Sequence, residues 1–374
     1  MKRSALAVAA VAAVAVTGVA HAAAPPVQAR AYVVQSSVDG RTLAARGADE
    51  PRAMASITKL MTALVAMRRL DLDQTITVPA AATRIGESTL SLRAGQRITV
   101  RDLLIGTLVP SANDAATTLA IAAGGSIPRF VAAMNTEARR LGLRGTHYRN
   151  PHGLDEPGHV STARDSATLL RRVLREPVLR RYAGSEAAQL SSGRWVRSTD
   201  NLVGTFRGFV GGKTGHTSDA GWSQVGFARV GGVGVTATVL GAPSEAQRDS
   251  DLAALLRFGL GSYRPSLVVD PARRYATVEV GWGRDAVPVV APRRIVRPAP
   301  LGRALTEQVV VSAVAALPVA AGQRLGTLVV RDGTRVVARS PLVAAETRDE
   351  LGTLAKAGWL ARRTGHNLVG LLTP

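Results

Sequence analysis

Two of the chain's four lysines, Lys59 and Lys213, fall in short polar motifs, Ser56-Ile57-Thr58-Lys59 and Lys213-Thr214-Gly215, although arginine supplies nearly every other positive charge. Arginine stays protonated at any working pH, whereas lysine can be driven to its neutral, proton-accepting form. Lysine kept at these two places therefore points to acid–base chemistry. Ser56 three residues before Lys59 is a candidate nucleophile with its base on the same side of one helical turn. A serine at a helix N-terminus also has free backbone N–H groups nearby, which favour negative charge developing on a substrate carbonyl. Lys213 close by would push the pKa of Lys59 down. Lys213 and Thr214 offer a charge and a hydroxyl to a substrate carboxylate, and Gly215 leaves room for a bound peptide along a strand.

The elements that must position these groups can be read around them. Ala31 to Leu43 reads as two short strands about an Asp39-Gly40 turn. Leu60, Leu64 and Met67, with Met61 and Val65 on the neighbouring stripe, make the helix after Ser56 apolar over most of its circumference, as befits the middle of a domain. Thr99 opens a helix through Leu108 that Pro110 stops, so Ser111-Ala112-Asn113 falls in a tight connection before a further helix ending at Gly124-Gly125. Asn150-Pro151-His152-Gly153-Leu154 is a turn, and Ser161-Thr162-Ala163-Arg164-Asp165 caps a helix through Leu174, after which the chain reads as strand-like. Phe209 to His216, Trp222 to Val230 and Val233 to Leu240 are strands, the last two split by Gly231-Gly232, and Ala242 to Phe258 is a helix packing back on them. Helices on both sides of an antiparallel sheet make an α+β domain.

Composition bounds the rest. The 374 residues are 46% hydrophobic but only 4% aromatic, enough for a large aliphatic core and two domains. Met1-Lys2-Arg3, the apolar run from Ala5 to Val16 and Ala20-His21-Ala22 match a secretory leader over 1–22. The expected catalytic domain then spans 23–264. A small β-sandwich or barrel follows over 265–346, with strands at Ala276 to Val280, Val287 to Val290, Val309 to Val314, Leu325 to Val330 and Thr334 to Ala338. In the tail, 347–374, Leu351, Leu354, Ala355 and Trp359 recur at helical spacing with Lys356, Arg362 and Arg363 elsewhere, the pattern of a membrane-surface helix. The chain has no cysteine, which excludes disulfides and thiol nucleophiles. The net charge of +20 suits a polyanion, and export makes lipid headgroups or wall polymers the expected partners rather than nucleic acid.

Rival motifs are weaker. A phosphate loop would need glycine where Arg207 stands. His147, His152, His159 and Asp155 lack zinc-ligand spacing and read as surface or turn residues, so neither metal nor cofactor is expected. A Ser-His-Asp triad lacks its G-x-S-x-G elbow.

Ser56-x-x-Lys59, Ser111-x-Asn113 and Lys213-Thr214-Gly215, with Pro51 to Thr62, Asn150 to Leu154, Lys213 to Thr217, Val239 to Pro243 and Pro341 to Ala345, resemble the serine-type D-Ala-D-Ala carboxypeptidases, the low-molecular-mass penicillin-binding proteins. The resemblance implies a penicillin-binding/β-lactamase-like transpeptidase domain followed by an all-β domain. It implies a periplasmic hydrolase of peptidoglycan stem peptides ending in D-Ala-D-Ala, acylated by β-lactam antibiotics and attached to the outer face of the inner membrane through its tail. Ser56 would be the nucleophile and Lys59 the base. Ser111 would relay protons to the leaving amine, and Asn113 would hold a substrate amide. Lys213, Thr214 and Arg248 would bind the terminal carboxylate side, and the N–H groups of Ser56 and His216 would form the oxyanion hole. A β-lactamase shares the three motifs but not the second domain, and a non-catalytic wall-binding relative would not need Ser56 and Lys59. The Arg- and Pro-rich segment from Pro292 to Pro300 and a weakly aromatic tail depart from the family pattern.

Overall fold

The computed structural model describes residues 7–13, 23–281, 285–359 and 361, with the backbone alone for 7–13. The chain divides into two compact units, Ala22–Tyr263 on one side and Met1–His21 with Arg264–Pro374 on the other.

The first unit is built on a five-stranded antiparallel sheet. In chain order its strands are β1 (Ala31–Ser36), β2 (Thr42–Arg46), β3 (Phe209–Thr217), β4 (Gly221–Val230) and β5 (Val233–Ala242), arranged β2-β1-β5-β4-β3. Side chains of a strand alternate between faces, and here both faces are apolar. Val34, Val235 and Val239 pack with Leu252, Leu255 and Leu256 of a long helix, Glu245–Gly261, on one side. Ala31, Val33, Val225 and Leu240 join the helical core on the other. That core is organised around α1 (Lys59–Met67), whose first eight residues are all buried, with α2 (Val100–Leu108), α3 (Asn113–Gly124), α4 (Ile127–Arg140), α5 (Ala163–Val173) and α6 (Pro177–Ala183) about it.

Local chemistry sets the helix starts. The Thr99 hydroxyl accepts from the Asp102 N–H and the Thr162 hydroxyl from the Asp165 N–H, each cap stabilising its helix by about 1 kcal/mol. The stretch after Leu174, strand-like by sequence, is instead helical at α6: Pro177 in its first turn needs no N–H partner there, and Leu179 and Tyr182 are buried. Only Ala187–Gln189 and Trp195–Arg197 beyond it form a small hairpin.

In the second unit a seven-stranded sheet carries strands 7–13, 306–312, 324–332, 335–344, 287–290, 274–280 and 314–315 in that spatial order. Its core is Val-rich, with Val287, Val289, Leu328 and Leu342 fully buried. Tyr263–Val269 and Ile295–Pro300 pair as a separate ladder, so the Arg- and Pro-rich segment is a strand from Ile295 on. Ala7–Ala13, in the expected leader, pairs antiparallel with Thr306–Ser312; the expected cleavage site lies outside the described residues. The tail is helical over 353–359, with Leu354 exposed, and all of it beyond residue 361 is also outside them.

Candidate active site

Ser56 lies in a single 3-10 turn, Ala55–Thr58, that runs directly into α1. Entering the turn forces Ala55 to φ +49°, in the left-handed region that disfavours a residue with a Cβ. Two glycines brace it. A Cβ on Gly153 would lie 2.1 Å from the Ala55 carbonyl oxygen, and one on Gly215 would lie 2.8 Å from the Ser56 nitrogen. The 150–154 turn and strand β3 therefore grip the Ser56 backbone with no side chain between. This corrects the expectation for Gly215: the space its missing side chain leaves is filled by the Met54–Ser56 backbone, not kept for a peptide.

Lys59 is fully buried. Its Nζ lies 2.6 Å from Ser56 Oγ and 2.7 Å from the His152 carbonyl oxygen. One turn further along α1, the Thr62 hydroxyl donates to the Pro151 carbonyl, and Asn150 Oδ1 accepts from the Gly153 N–H. Burial, reinforced by the charge of Lys213, holds the Lys59 amine well below the usual lysine range. Lys59 is thus suited to accept a proton from the hydroxyl it touches.

His152 and His159, read from sequence as surface or turn residues, are buried. His159 Nδ1 accepts from the Arg149 N–H, which leaves Nε2 to donate to the Thr58 hydroxyl at 2.7 Å. Burial pushes His159 down to about 4 and His152 down to about 3. Both are neutral braces of the turn that holds Lys59. No cluster of three potential metal ligands occurs among the described residues.

The connection between α2 and α3 carries Ser111 and Asn113, both buried. Ser111 sits at φ +64°, a second strained position. Asn113 Nδ2 donates to the Gly86 carbonyl and its N–H to the Ser88 carbonyl, while the Asp114 carboxylate accepts from the N–H groups of Leu90 and Leu92. The 86–92 loop is thereby strapped to the start of α3. The charges of Glu87 and Asp114 oppose the lowering of the Lys59 pKa, and α3, which Asn113 opens, packs against α1.

The third wall is β3. Lys213 is buried and donates to the Thr214 carbonyl, and the Thr214 hydroxyl is 2.7 Å from that of Thr199. Burial pushes Lys213 down to about 7, the Asp200 carboxylate opposing the shift and Arg248 adding to it. Asp200 gave no sequence signal because it sits in an irregular stretch. It is buried, its Oδ1 accepts from Gln224 Nε2 and the Leu202 N–H, and its Oδ2 has no hydrogen-bond partner among the described residues. Burial raises its own pKa. A Cβ on Gly212 would come within 3.0 Å of that Oδ2, so glycine before Lys213 keeps Asp200 against the strand.

His216 is exposed and stacks on Trp222 with ring centroids 4.1 Å apart. Arg248 also lies over Trp222, at 5.4 Å, and is buried. Its Nε and Nη2 are engaged by Asp249, with Glu245 at 3.2 Å. It is linked to His216 through the shared Trp222 ring and to Lys213 and Asp200 through its charge.

Comparison with known proteins agrees with this geometry. A family model described as D-alanyl-D-alanine carboxypeptidase matches residues 18–244. The chain is 31% identical over 351 residues to the D-alanyl-D-alanine carboxypeptidase DacC of Escherichia coli, covering 88% of this chain and 86% of that one. It is 36% identical over 213 residues to DacB2 of Mycobacterium tuberculosis, covering 56% and 73%. Among solved structures, penicillin binding protein 5 from Haemophilus influenzae superposes with a TM-score of 0.65 at 25% identity, over 88% of this chain and 100% of that one. A serine and a buried, depressed lysine in contact, walled by a strained Ser-x-Asn turn and a Lys-Thr-Gly strand, thus stand in a chain that belongs to the D-alanyl-D-alanine carboxypeptidase family of serine peptidases.

Proposed function

We propose that this carboxypeptidase works through an acyl-enzyme on Ser56, and the observation that carries the reading is the contact between a fully buried, depressed Lys59 and the Ser56 hydroxyl. Lys59 takes the proton as Ser56 Oγ attacks the carbonyl of the penultimate D-Ala. The peptide C–N bond then breaks, and the proton passes through Ser111 to the leaving D-Ala amine. Water next adds to the acyl carbonyl with Lys59 as base, and the proton returns to Ser56 as the ester C–O bond breaks. Asn113 holds a substrate amide. Lys213 and Thr214 bind the terminal carboxylate, with Arg248 adding positive field. The N–H groups of Ser56 and His216 bind the oxyanion. A β-lactam carries the same carboxylate and a strained amide, and acylates Ser56 in place of the peptide.

The chain acts outside the cytoplasm, in the periplasm, and its tail lies on the membrane surface; the basic, Ala-rich leader and the spacing of Leu351, Leu354 and Trp359 support this. No single helix among the described residues is long and apolar enough to cross a membrane. Fractionation of cells making the chain with and without the residues after Arg348 tests attachment, which predicts release on truncation.

Release of D-Ala from diacetyl-Lys-D-Ala-D-Ala tests the mechanism. Wild type should release it and Ser56→Ala should not. Undiminished release by the variant would sink the acyl-enzyme, as would failure of a fluorescent penicillin to label Ser56.

A further inference from the structure

A cavity of about 480 Å³ opens in the first unit, away from Ser56. It is lined by Ser37, Arg171, Leu174, Arg175, Arg180, Val210, Phe227 and Arg229. Val210 lies three residues before Lys213 on β3, which separates the cavity from the Lys-Thr-Gly motif by about 10 Å along the strand. Four of the eight lining residues are arginines and none is acidic.

Some arginines of this unit are matched by a carboxylate, among them Arg164 with Asp49, Arg101 with Asp73, and Arg140 with Glu137. Next in sequence to Arg171 and Arg175, Arg172 and Glu176 pair with each other, and neither lines the cavity. Inside it, Arg175, Arg180 and Arg229 have no ion pair among the described residues. Two of the four arginines are nevertheless held in place. Arg171 donates to Gln35 Oε1 and to the Thr168 hydroxyl, and Arg229 lies 5.6 Å over the Phe227 ring. Burial and the neighbouring charge of Arg175 hold Arg171 below the usual arginine range. Like charges gathered in one hollow repel, and an anion entering it removes that repulsion at every pair at once.

We propose that this four-arginine cavity is a binding site for a phosphate-bearing anion, distinct from the carboxylate-binding wall at Lys213. The guanidinium fork matches the oxygens of a phosphate two at a time, and several forks around one hollow suit a dianion or pyrophosphate better than a lone carboxylate. The apolar floor of Leu174, Val210 and Phe227 suits an ester group on that phosphate. A lipid headgroup and a soluble phosphate ester share this chemistry.

Calorimetric titration of the full chain with inorganic pyrophosphate tests the proposal. Citrate serves as a carboxylate control, and co-sedimentation with phosphatidylglycerol or phosphatidylcholine vesicles serves as a second arm. Pyrophosphate should bind, with roughly tenfold loss for each of Arg175→Gln and Arg229→Gln. D-Ala release from a short peptide should be unchanged in both, and their melting should match wild type. Vesicle binding that rises with phosphatidylglycerol and weakens in the same variants, over what the tail contributes, assigns the phosphate to a lipid. Pyrophosphate binding without it assigns the site to a soluble ester. Equal affinity for citrate would overturn the proposal, as would an equal loss on removing two exposed arginines elsewhere, Arg129→Gln with Arg139→Gln.

Discussion

The two units bury different things. Around the five-stranded sheet the interior takes in Lys59, Lys213, Arg248, Asp114, Asp200 and Asp251, whereas around the seven-stranded sheet only Asp332 and Ser340 are buried polar side chains among the described residues. Burying an ion without compensation costs several kcal/mol, so a fold keeps such groups inside where they are paired or do chemistry. Asp251 and Asp114 are satisfied by backbone N–H groups. Among the described residues no carboxylate is in contact with either lysine; their compensation is a lowered pKa. Among its described residues the second unit has no non-glycine residue at positive φ, and its core is Val-rich.

That contrast can be broken in stages. The largest effect should come from Lys59→Arg, which keeps the charge and cannot give it up: acylation by a fluorescent penicillin should fall at least about 10³-fold. Lys213→Arg should retain part of its activity, because carboxylate binding needs only a cation; equal loss in both variants would mean the two lysines do not have separate roles. Gly215→Ala should cost on the order of 10² in kcat/KM, since its Cβ would meet the Ser56 nitrogen and displace the nucleophile. A variant as active as wild type would show that the brace yields freely.

The pH profile should follow from the same two groups. Lys213 is charged below about 7 and neutral above it, so kcat/KM for a carboxylate-ended peptide should fall as pH rises through that value in the free enzyme. The acid limb belongs to Lys59, which must be neutral to act. Asp200 raises the Lys213 pKa, so Asp200→Asn should move the alkaline limb to lower pH; an unmoved limb would take Lys213 out of the profile. The smallest effect on chemistry should come from the second unit. Leu328→Ala, at a fully buried site, should destabilise that unit by about 2–4 kcal/mol in melting experiments while leaving kcat within about twofold. A large fall in kcat would give that unit a part in catalysis.

Much of this was legible in residue types. The three motifs, the apolar helix after Ser56, the Thr99 and Thr162 caps and the β4–β5 hairpin all leave local signatures, and each has its counterpart in the fold. Helix α4 carries start signals, the Ser126 cap and Pro128 in its first turn. Helix α6 looks strand-like by sequence because seven residues are too few to show a helical period against a Val-Leu pair. Other features were illegible for physical reasons. The group that anchors Lys59 is the backbone carbonyl of His152, which any residue would supply. The burial of His152 and His159 depends on contacts about a hundred residues away. Asp200 matters only because Gly212 lets it close on β3.

Gly153 and Gly215 bound what mutation can reach. Each faces the backbone of the Ala55–Ser56 peptide, so any side chain placed there displaces the nucleophile before it touches an inhibitor. His216 is exposed and rests on Trp222, free of that constraint. A lineage selected to exclude β-lactams while keeping its peptide substrate would have those two walls closed to it and would be steered to the His216–Trp222 side.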